Sequence, residues 1–300
     1  MPHTIQDILL QDSSRLTEGL ALDPGSARIE VQCLLQQTLR VQRAYLLSHP
    51  ERNLIEAEQS HYDALLQRRL AGEPIAYILG EREFFGLKFK VTPATLIPRP
   101  DTELLVELAL QRIPSPPTPR PQAGEGGRQA VREADFHILD LGTGSGAIAL
   151  AIAHERPAAQ VLACDASSAA LEVARINAQN LAITNIAFVQ SDWFDALGEQ
   201  RFDLIVSNPP YIAQADPHLQ QGDLRFEPVS ALASGADGLR DIRRIVAAAA
   251  AHLQPGGWLL LEHGYDQAER VREILQLNGF SAAFSATDLA GIERVSGGHT

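Results

Sequence analysis

The run Phe136-His137-Ile138-Leu139-Asp140-Leu141-Gly142-Thr143-Gly144-Ser145-Gly146 passes directly into Ala147-Ile148-Ala149-Leu150-Ala151-Ile152-Ala153-His154, and the rest of the chain is read outward from it. A short apolar segment ends at an acid and three alternating glycines, and a helix-forming stretch follows. The pattern is strand, tight turn, helix, with a turn whose backbone can come close to a ligand because no Cβ intervenes. Beyond it, strands are predicted over 136–141, 160–165, 186–190, 202–207 and 257–262, with helices over 147–154, 168–180, 239–253 and 267–277. Strands and helices in this alternation imply a parallel α/β sheet covered on both faces. In such sheets a ligand sits at the carboxyl ends of the strands.

The second predicted strand ends in Asp165, 19 residues after Gly146. A carboxylate there can accept both hydroxyl hydrogens of a ribose, which points to an adenosine-type ligand. The alternative is a cap on the next helix. Two ligand classes fit the loop, a dinucleotide or S-adenosylmethionine. The dinucleotide fingerprint spaces its glycines as G-x-G-x-x-G and holds a pyrophosphate on a helix N-terminus. This loop reads G-x-G-x-G and opens with Asp140, which suits a phosphate-free ligand bearing an ammonium. After the third strand, Ser191-Asp192-Trp193-Phe194 offers polar groups for an adenine edge and, in Trp193, a ring for its face; a plain core role for Trp193 is the alternative.

The fourth strand opens directly into Asn208-Pro209-Pro210-Tyr211. Two prolines fix φ and remove two donors, leaving carbonyl oxygens as acceptors. The Asn208 oxygen adds another acceptor, and Tyr211 adds a flat ring. An amide or exocyclic amino nitrogen is a poor nucleophile because its lone pair is delocalised. Acceptors gripping its hydrogens would draw the group towards tetrahedral geometry and stabilise the charge that develops as a methyl arrives. Stacking on Tyr211 would aim the nitrogen at a sulfonium methyl. A proline turn at a strand end explains the prolines but not their flanking Asn and Tyr. This chemistry requires no metal.

The first 80 or so residues read as helices. Ser26 is the expected cap of a helix carrying Ile29, Cys33, Leu34 and Leu39, and Asn53 with Glu56 forms an expected capping box. The helix that follows carries Tyr62, Leu65, Leu66 and Leu70 and stops at Gly72 before Pro74. Phe84 to Val91 suggests a β-hairpin, and Pro93, Pro98 and Pro100 stiffen a connector. Asp101 is the expected cap of a helix with Leu104, Leu105, Leu108 and Ala109 facing inward. Residues 114–134, rich in proline and glycine, read as a flexible loop. The expected organisation is a helical domain over 1–82, a hairpin and linker over 83–100, and the α/β domain over 101–300.

A formal charge of −12 and a pI near 5.2 argue against a protein that grips nucleic acid through phosphates. Cys33 and Cys164 lie in separate apolar stretches and are expected as thiols. Met1 to Ser14 does not read as a signal peptide, and no apolar run is long enough for a membrane span, so the expected location is the cytoplasm.

Taken with the additional segments Gly72-Glu73-Pro74-Ile75-Ala76-Tyr77, Thr95-Leu96-Ile97-Pro98-Arg99-Pro100-Asp101-Thr102-Glu103 and Arg225-Phe226-Glu227-Pro228, the glycine loop and Asn208–Tyr211 resemble the peptide-chain release factor glutamine N5-methyltransferases, the PrmC/HemK family. The resemblance spans nearly the whole chain. It implies a Class I S-adenosylmethionine-dependent methyltransferase fold, Rossmann-like, with a small N-terminal helical domain. It further implies that Gly142, Thr143, Gly144, Ser145 and Gly146 line the donor, that Asp165 holds its ribose, and that Trp193 sits against its adenine. Asn208 would border the donor and bind the target amide, with Pro209, Pro210 and Tyr211 completing the pocket. The implied substrate is the glutamine of the Gly-Gly-Gln motif in class 1 release factors, docked partly by the helical domain. Two departures stand out: 114–134 is longer than usual for the family, and the tail Val295-Ser296-Gly297-Gly298-His299-Thr300 is short and polar, so its strand is expected to be truncated or loosely paired. Three rival functions use some of the same residues: a DNA adenine-N6 methyltransferase, a non-catalytic translation-associated module, and a nicotinamide dehydrogenase. The first lacks an evident basic target-recognition segment, and the last lacks a hydride-transfer constellation.

Overall fold

The computed structural model describes residues 4–114 and 136–300, and contacts divide the chain into two compact units. One comprises Met1–Arg82 with Gln220–Phe226, and the other Glu83–Leu219 with Glu227–Thr300. All of the predicted loop at 114–134 except Pro114 lies outside the described residues.

The first unit is built from α1 (Ile5–Leu20), α2 (Pro24–Leu39), α3 (Arg43–Ser48), α4 (Glu56–Leu70) and α5 (Ile75–Leu79). Apolar positions at helical spacing, among them Ile5, Leu16, Val31, Leu34, Leu46, Tyr62 and Leu66, close one core. Polar groups inside it are paired. The Tyr62 hydroxyl donates to Asp12 at 3.0 Å. The Arg69 guanidinium, 4% exposed, lies between Glu30 at 2.7 Å and Asp223 at 3.2 Å. Arg225 donates to the Ala71 carbonyl and occupies the space a side chain at Gly72 would need. Two caps differ from expectation. Asp23, not Ser26, caps α2, accepting from the Gly25 and Ser26 amides, with Pro24 at the first helical position. The helix after Asn53 is capped at Ile55, whose amide donates to Glu58. The expected stop at Gly72 is observed, with φ +92°.

A hairpin pairs β1 (Glu81–Phe84) with β2 (Leu87–Lys90). Its two turn residues, Phe85 and Gly86, both take positive φ, the geometry that matches strand twist in a two-residue hairpin. A 3-10 turn (Pro100–Thr102) precedes α6 (Glu103–Arg112), so Asp101 sits inside the turn rather than capping the helix.

The sheet of the second unit runs β5-β4-β3-β6-β7-β9-β8, with β3 (His137–Leu141), β4 (Gln160–Asp165), β5 (Ile186–Gln190), β6 (Phe202–Ser207), β7 (Leu253–Glu262), β8 (Ser281–Thr287) and β9 (Glu293–His299). Strands β3 to β7 pair in parallel, and β9 is antiparallel to both β7 and β8. One face packs α6 and α7 (Ala147–Glu155) on a cluster that includes Leu105, Ile138, Leu150 and Leu204. The other packs α10 (Arg240–Ala249) and α11 (Ala268–Leu277), which follow α8 (Ser168–Asn180) and the short α9 (Val229–Leu232) in the chain, on one that includes Leu139, Ile205, Ile245 and Val271. This is the Class I arrangement.

The C-terminal strand corrects the expectation of a truncated or loose end. All seven residues of β9 are in the sheet, and Val295 to Gly298 are buried between β7 and β8. Its glycines reflect space, since a Cβ on Gly297 would lie 2.6 Å from the Leu259 carbonyl oxygen.

Candidate active site

Strand β3 ends and α7 begins across a loop in which Gly142, Gly144 and Gly146 have φ of +75°, +56° and +83°. Each is a conformation costly for other residues. The amides of Gly142 and Thr143 both donate to the Cys164 carbonyl on β4, and the Gly144 amide donates to Asp165 at 2.8 Å. Asn177, fully buried on α8 (Ser168–Asn180), donates to the Ser145 carbonyl and exchanges two hydrogen bonds with the Lys90 backbone. It thereby ties the loop to the hairpin, a role no motif in the sequence announced.

The loop borders a cavity of about 630 Å³ at the carboxyl ends of the parallel strands, a volume typical of small-molecule sites. Gly142, Thr143, Gly144, Ser145, Asp165, Trp193, Asn208 and Pro210 all line it. Gly146, Pro209 and Tyr211 are not among the lining residues. A Cβ on Gly146 would meet Leu150 at 2.9 Å and Ala174 at 3.2 Å, so this glycine serves close packing of the helices.

Asp140 is also set back from the cavity. Its fully buried carboxylate accepts from the Thr143 hydroxyl at 2.6 Å, while Oδ1 has no hydrogen-bond partner among the described residues. Burial pushes its pKa up to about 7. Its position beneath the loop makes it a brace, where the sequence had suggested a contact for an ammonium.

Asp165 accepts from Gly144 and, through its other oxygen, from the Ser167 amide at 2.8 Å. Burial raises its pKa and these two amides oppose the rise. Each oxygen keeps a lone pair for a ligand hydroxyl. Trp193 takes a positive φ of 53°, and its ring would lie 3.3 Å from a Cβ on Gly142. Backbone strain of this kind in a large residue persists only where surroundings hold it. Here the Ser191 hydroxyl donates to the Trp193 carbonyl at 2.8 Å.

In the same lining the Asn208 Nδ2 donates to the Thr102 hydroxyl at 3.2 Å, and no donor among the described residues reaches its Oδ1. Tyr211 turns away: its ring packs on the core and its hydroxyl donates to buried Glu262 at 3.3 Å. That burial raises its pKa, and Glu262 raises it further. The Tyr211 carbonyl accepts from Gln267, and Ile212 and Ser234 exchange backbone bonds that pin the following loop. Arg99, at the cavity, pairs with Glu227, whose other oxygen accepts from the Ile97 amide at 2.9 Å. Two segments quoted from the sequence therefore meet through one ion pair.

The lining fits an adenosyl donor better than a dinucleotide. Its three arginines each lie against a carboxylate, Arg99 on Glu227, Arg240 on Asp241 and Arg244 on Asp192, and no lysine is present to meet a pyrophosphate. A Cβ on Gly144 would meet nothing within 4 Å, which leaves backbone open to a ligand beside the Asp165 carboxylate. Among the described residues no cluster of His, Cys, Asp and Glu could hold a metal.

A protein of Xylella fastidiosa (strain Temecula1) named release factor glutamine methyltransferase is 49% identical, over 90% of this chain and 92% of its own length. One of the same name from Bordetella pertussis is 49% identical over 95% of this chain and 99% of its own. The chain belongs to the release factor glutamine methyltransferase family. The PrmC N-terminal domain matches residues 12–80 of this family member, and the methyltransferase small domain matches 129–224. A methyltransferase structure from Pyrococcus furiosus aligns with a TM-score of 0.51 at 18% identity, over 78% of this chain and 96% of that one, a likeness of fold. The protein is an S-adenosylmethionine-dependent methyltransferase of the Class I fold.

Proposed function

We propose that this protein methylates the side-chain amide N5 of the glutamine in the Gly-Gly-Gln motif of class 1 peptide chain release factors, and that Asn208 is the residue that grips the amide. The observation that carries this reading is the Asn208 side chain, which lines the same cavity as Gly144 and Asp165 with Nδ2 engaged by Thr102 and Oδ1 left without a donor among the described residues. S-adenosylmethionine supplies an electrophilic methyl on a sulfonium. Asp165 would accept its ribose hydroxyls, Trp193 would pack on its adenine, and the Gly142–Ser145 backbone would bound it, with Gly146 letting the helix behind pack close. Oδ1 of Asn208 and a carbonyl of the Pro209-Pro210 pair would accept the two amide hydrogens, localising the nitrogen lone pair and stabilising the positive charge that grows on it as the N–C bond forms and the sulfonium C–S bond breaks; S-adenosylhomocysteine leaves and the nitrogen releases one proton to water. Pro210 walls the pocket, and Tyr211 supports the turn from behind.

The helical domain, residues 1–82, docks the protein substrate, the 83–100 hairpin and linker joins it to the methyltransferase domain at 101–300, and the reaction takes place in the cytoplasm. No helix of the described residues is long and apolar enough to cross a membrane. A net charge of −12 weighs against direct nucleic-acid binding through phosphates, which disfavours the adenine-N6 rival. Incubation with donor and a class 1 release factor, read by peptide mass spectrometry, is expected to add one methyl to the Gly-Gly-Gln glutamine. Transfer to duplex DNA, or no gain on that residue, would refute the proposal.

A further inference from the structure

We propose that Glu262, a buried carboxyl behind the Asn208–Tyr211 turn, is a positioning residue that fixes which end of the Asn208 amide faces the cavity. This rests on the reading that the Asn208 oxygen grips the substrate amide.

Glu262 ends β7 with 2% of its surface exposed, and its place there is fixed by pairing with Val295 of β9. The Tyr211 hydroxyl donates to its Oε1 at 3.3 Å, the Thr102 hydroxyl lies against the same carboxyl, and Oε2 has no hydrogen-bond partner among the described residues. Thr102 Oγ1 in turn accepts from Asn208 Nδ2 at 3.2 Å. A threonine hydroxyl can serve either end of an amide, because it donates one hydrogen and accepts on its lone pairs. Thr102 alone therefore does not decide how Asn208 is turned. A carboxylate only accepts. With one behind it, Thr102 points its hydrogen at Glu262 and offers a lone pair to Nδ2, so Oδ1 faces the cavity as an acceptor. A neutral Glu262 reverses the sequence. Its own hydrogen goes to Thr102, Thr102 donates to the Asn208 oxygen, and the amide turns its NH2 towards a substrate NH2 that it cannot grip.

The groups facing Glu262 are Tyr211, Thr102 and Asp101 on the 3-10 turn, and Arg294 on β9. Arg294 is itself shared with Asp101 and Asp288, and Arg99 acts on Tyr211 from its other side. Burial pushes the Glu262 pKa up to about 7; Asp101 adds to the rise, and the Thr102 and Tyr211 hydroxyls and Arg294 oppose it. The acceptor-only form is then populated above about pH 7 and lost below it. Because the pKa is raised on folding, the stability that the neutral form contributes is full below the ordinary glutamate value and lost as pH climbs through about 7.

The full chain carrying Glu262→Gln, assayed with S-adenosylmethionine and a release factor, is expected to lose roughly 10- to 100-fold in kcat, the scale of a misplaced reacting group. S-adenosylhomocysteine affinity should be unchanged. The acidic limb of the wild-type kcat profile, with a midpoint near pH 7, should disappear. At pH 8 the variant should melt no lower than wild type, since a buried charge has been removed. Thr102→Val should reproduce the kcat loss and Thr102→Ser should restore it. Wild-type kcat and an intact acidic limb in Glu262→Gln, where Asn208→Ala is inactive, would overturn this inference alone. An active Asn208→Ala variant would overturn the reading beneath it, and the inference too.

Discussion

The glycine loop takes its shape from its own backbone, from a strand end 21 residues on and from Asn177 32 residues on, whereas the Asn208–Tyr211 turn is held by side chains 51 to 106 residues away. On the first wall, positive φ at three glycines and two amides on the Cys164 carbonyl of the neighbouring strand set the geometry, and Asn177 holds its far end. On the second, prolines stiffen the chain but leave the Asn208 amide free to turn, and only Thr102 and the groups behind it choose its orientation. A donor common to many enzymes meets a wall encoded in a short stretch. The amide proposed to grip the substrate, where a rotation of one group separates acceptor from donor, is built from the assembled fold.

That contrast makes the largest prediction. Asn208→Ala should cut methyl transfer by about 10²- to 10³-fold, the usual effect of removing one preorganised polar group aimed at developing charge. S-adenosylhomocysteine affinity, read by calorimetry, should hold within about threefold, because nothing on the glycine wall leans on Asn208. A parallel collapse of affinity would mean that the two walls form one unit. The complementary change is smaller and falls on the other quantity. Asp165→Ala removes a carboxylate that holds the Gly144 amide and faces the cavity, so S-adenosylhomocysteine should bind about 10- to 100-fold more weakly, the equivalent of roughly 1.5–3 kcal/mol for a charged hydrogen-bonding group. At saturating donor kcat should change little. A kcat loss as large as that of Asn208→Ala would break the division of labour.

The same contrast explains what could be read from the sequence. Strands at 160–165, 186–190 and 202–207 and the helix at 168–180 are found at the predicted boundaries, because buried parallel strands are continuous apolar runs and their helices repeat at a fixed period. Gly142, Gly144, Asp165, Trp193 and Asn208 lie together at one cavity as their motifs suggested. Caps were less legible. Asp23 and Ser26 are both good capping types, and Pro24 at the first helical position decides for Asp23. The tail suggested a truncated or loose strand because, apart from Val295, its buried residues are a serine and two glycines, which leave room for β7 and β8 on either side. Asn177, Thr102 and Glu262 carry no local signal. Their importance arises from partners brought together by folding, and Tyr211, read as a stacking ring, is found with its hydroxyl on Glu262 and outside the cavity lining.

The smallest expected effect tests whether the donor wall is as self-contained as it looks. Arg244 on α10 reaches Asp192 on the loop after β5, with both nitrogen–oxygen distances at 3.2–3.3 Å, and both residues border the cavity. Among the described residues it is the one long-range ion pair on the Trp193 side of the cavity lining, and a bidentate fork invites a large role. Exposure argues otherwise, because the two side chains are 47% and 54% exposed, where water screens the attraction and ordering two flexible groups offsets most of the gain. Arg244→Ala should therefore lower stability by no more than about 1 kcal/mol and change S-adenosylhomocysteine affinity by less than about fivefold. Trp193, held through its carbonyl by Ser191, should keep its place without Arg244. A loss of affinity beyond tenfold would show that Asp192 must be aimed from α10, and the donor wall would then depend on the assembled fold as the Asn208 wall does.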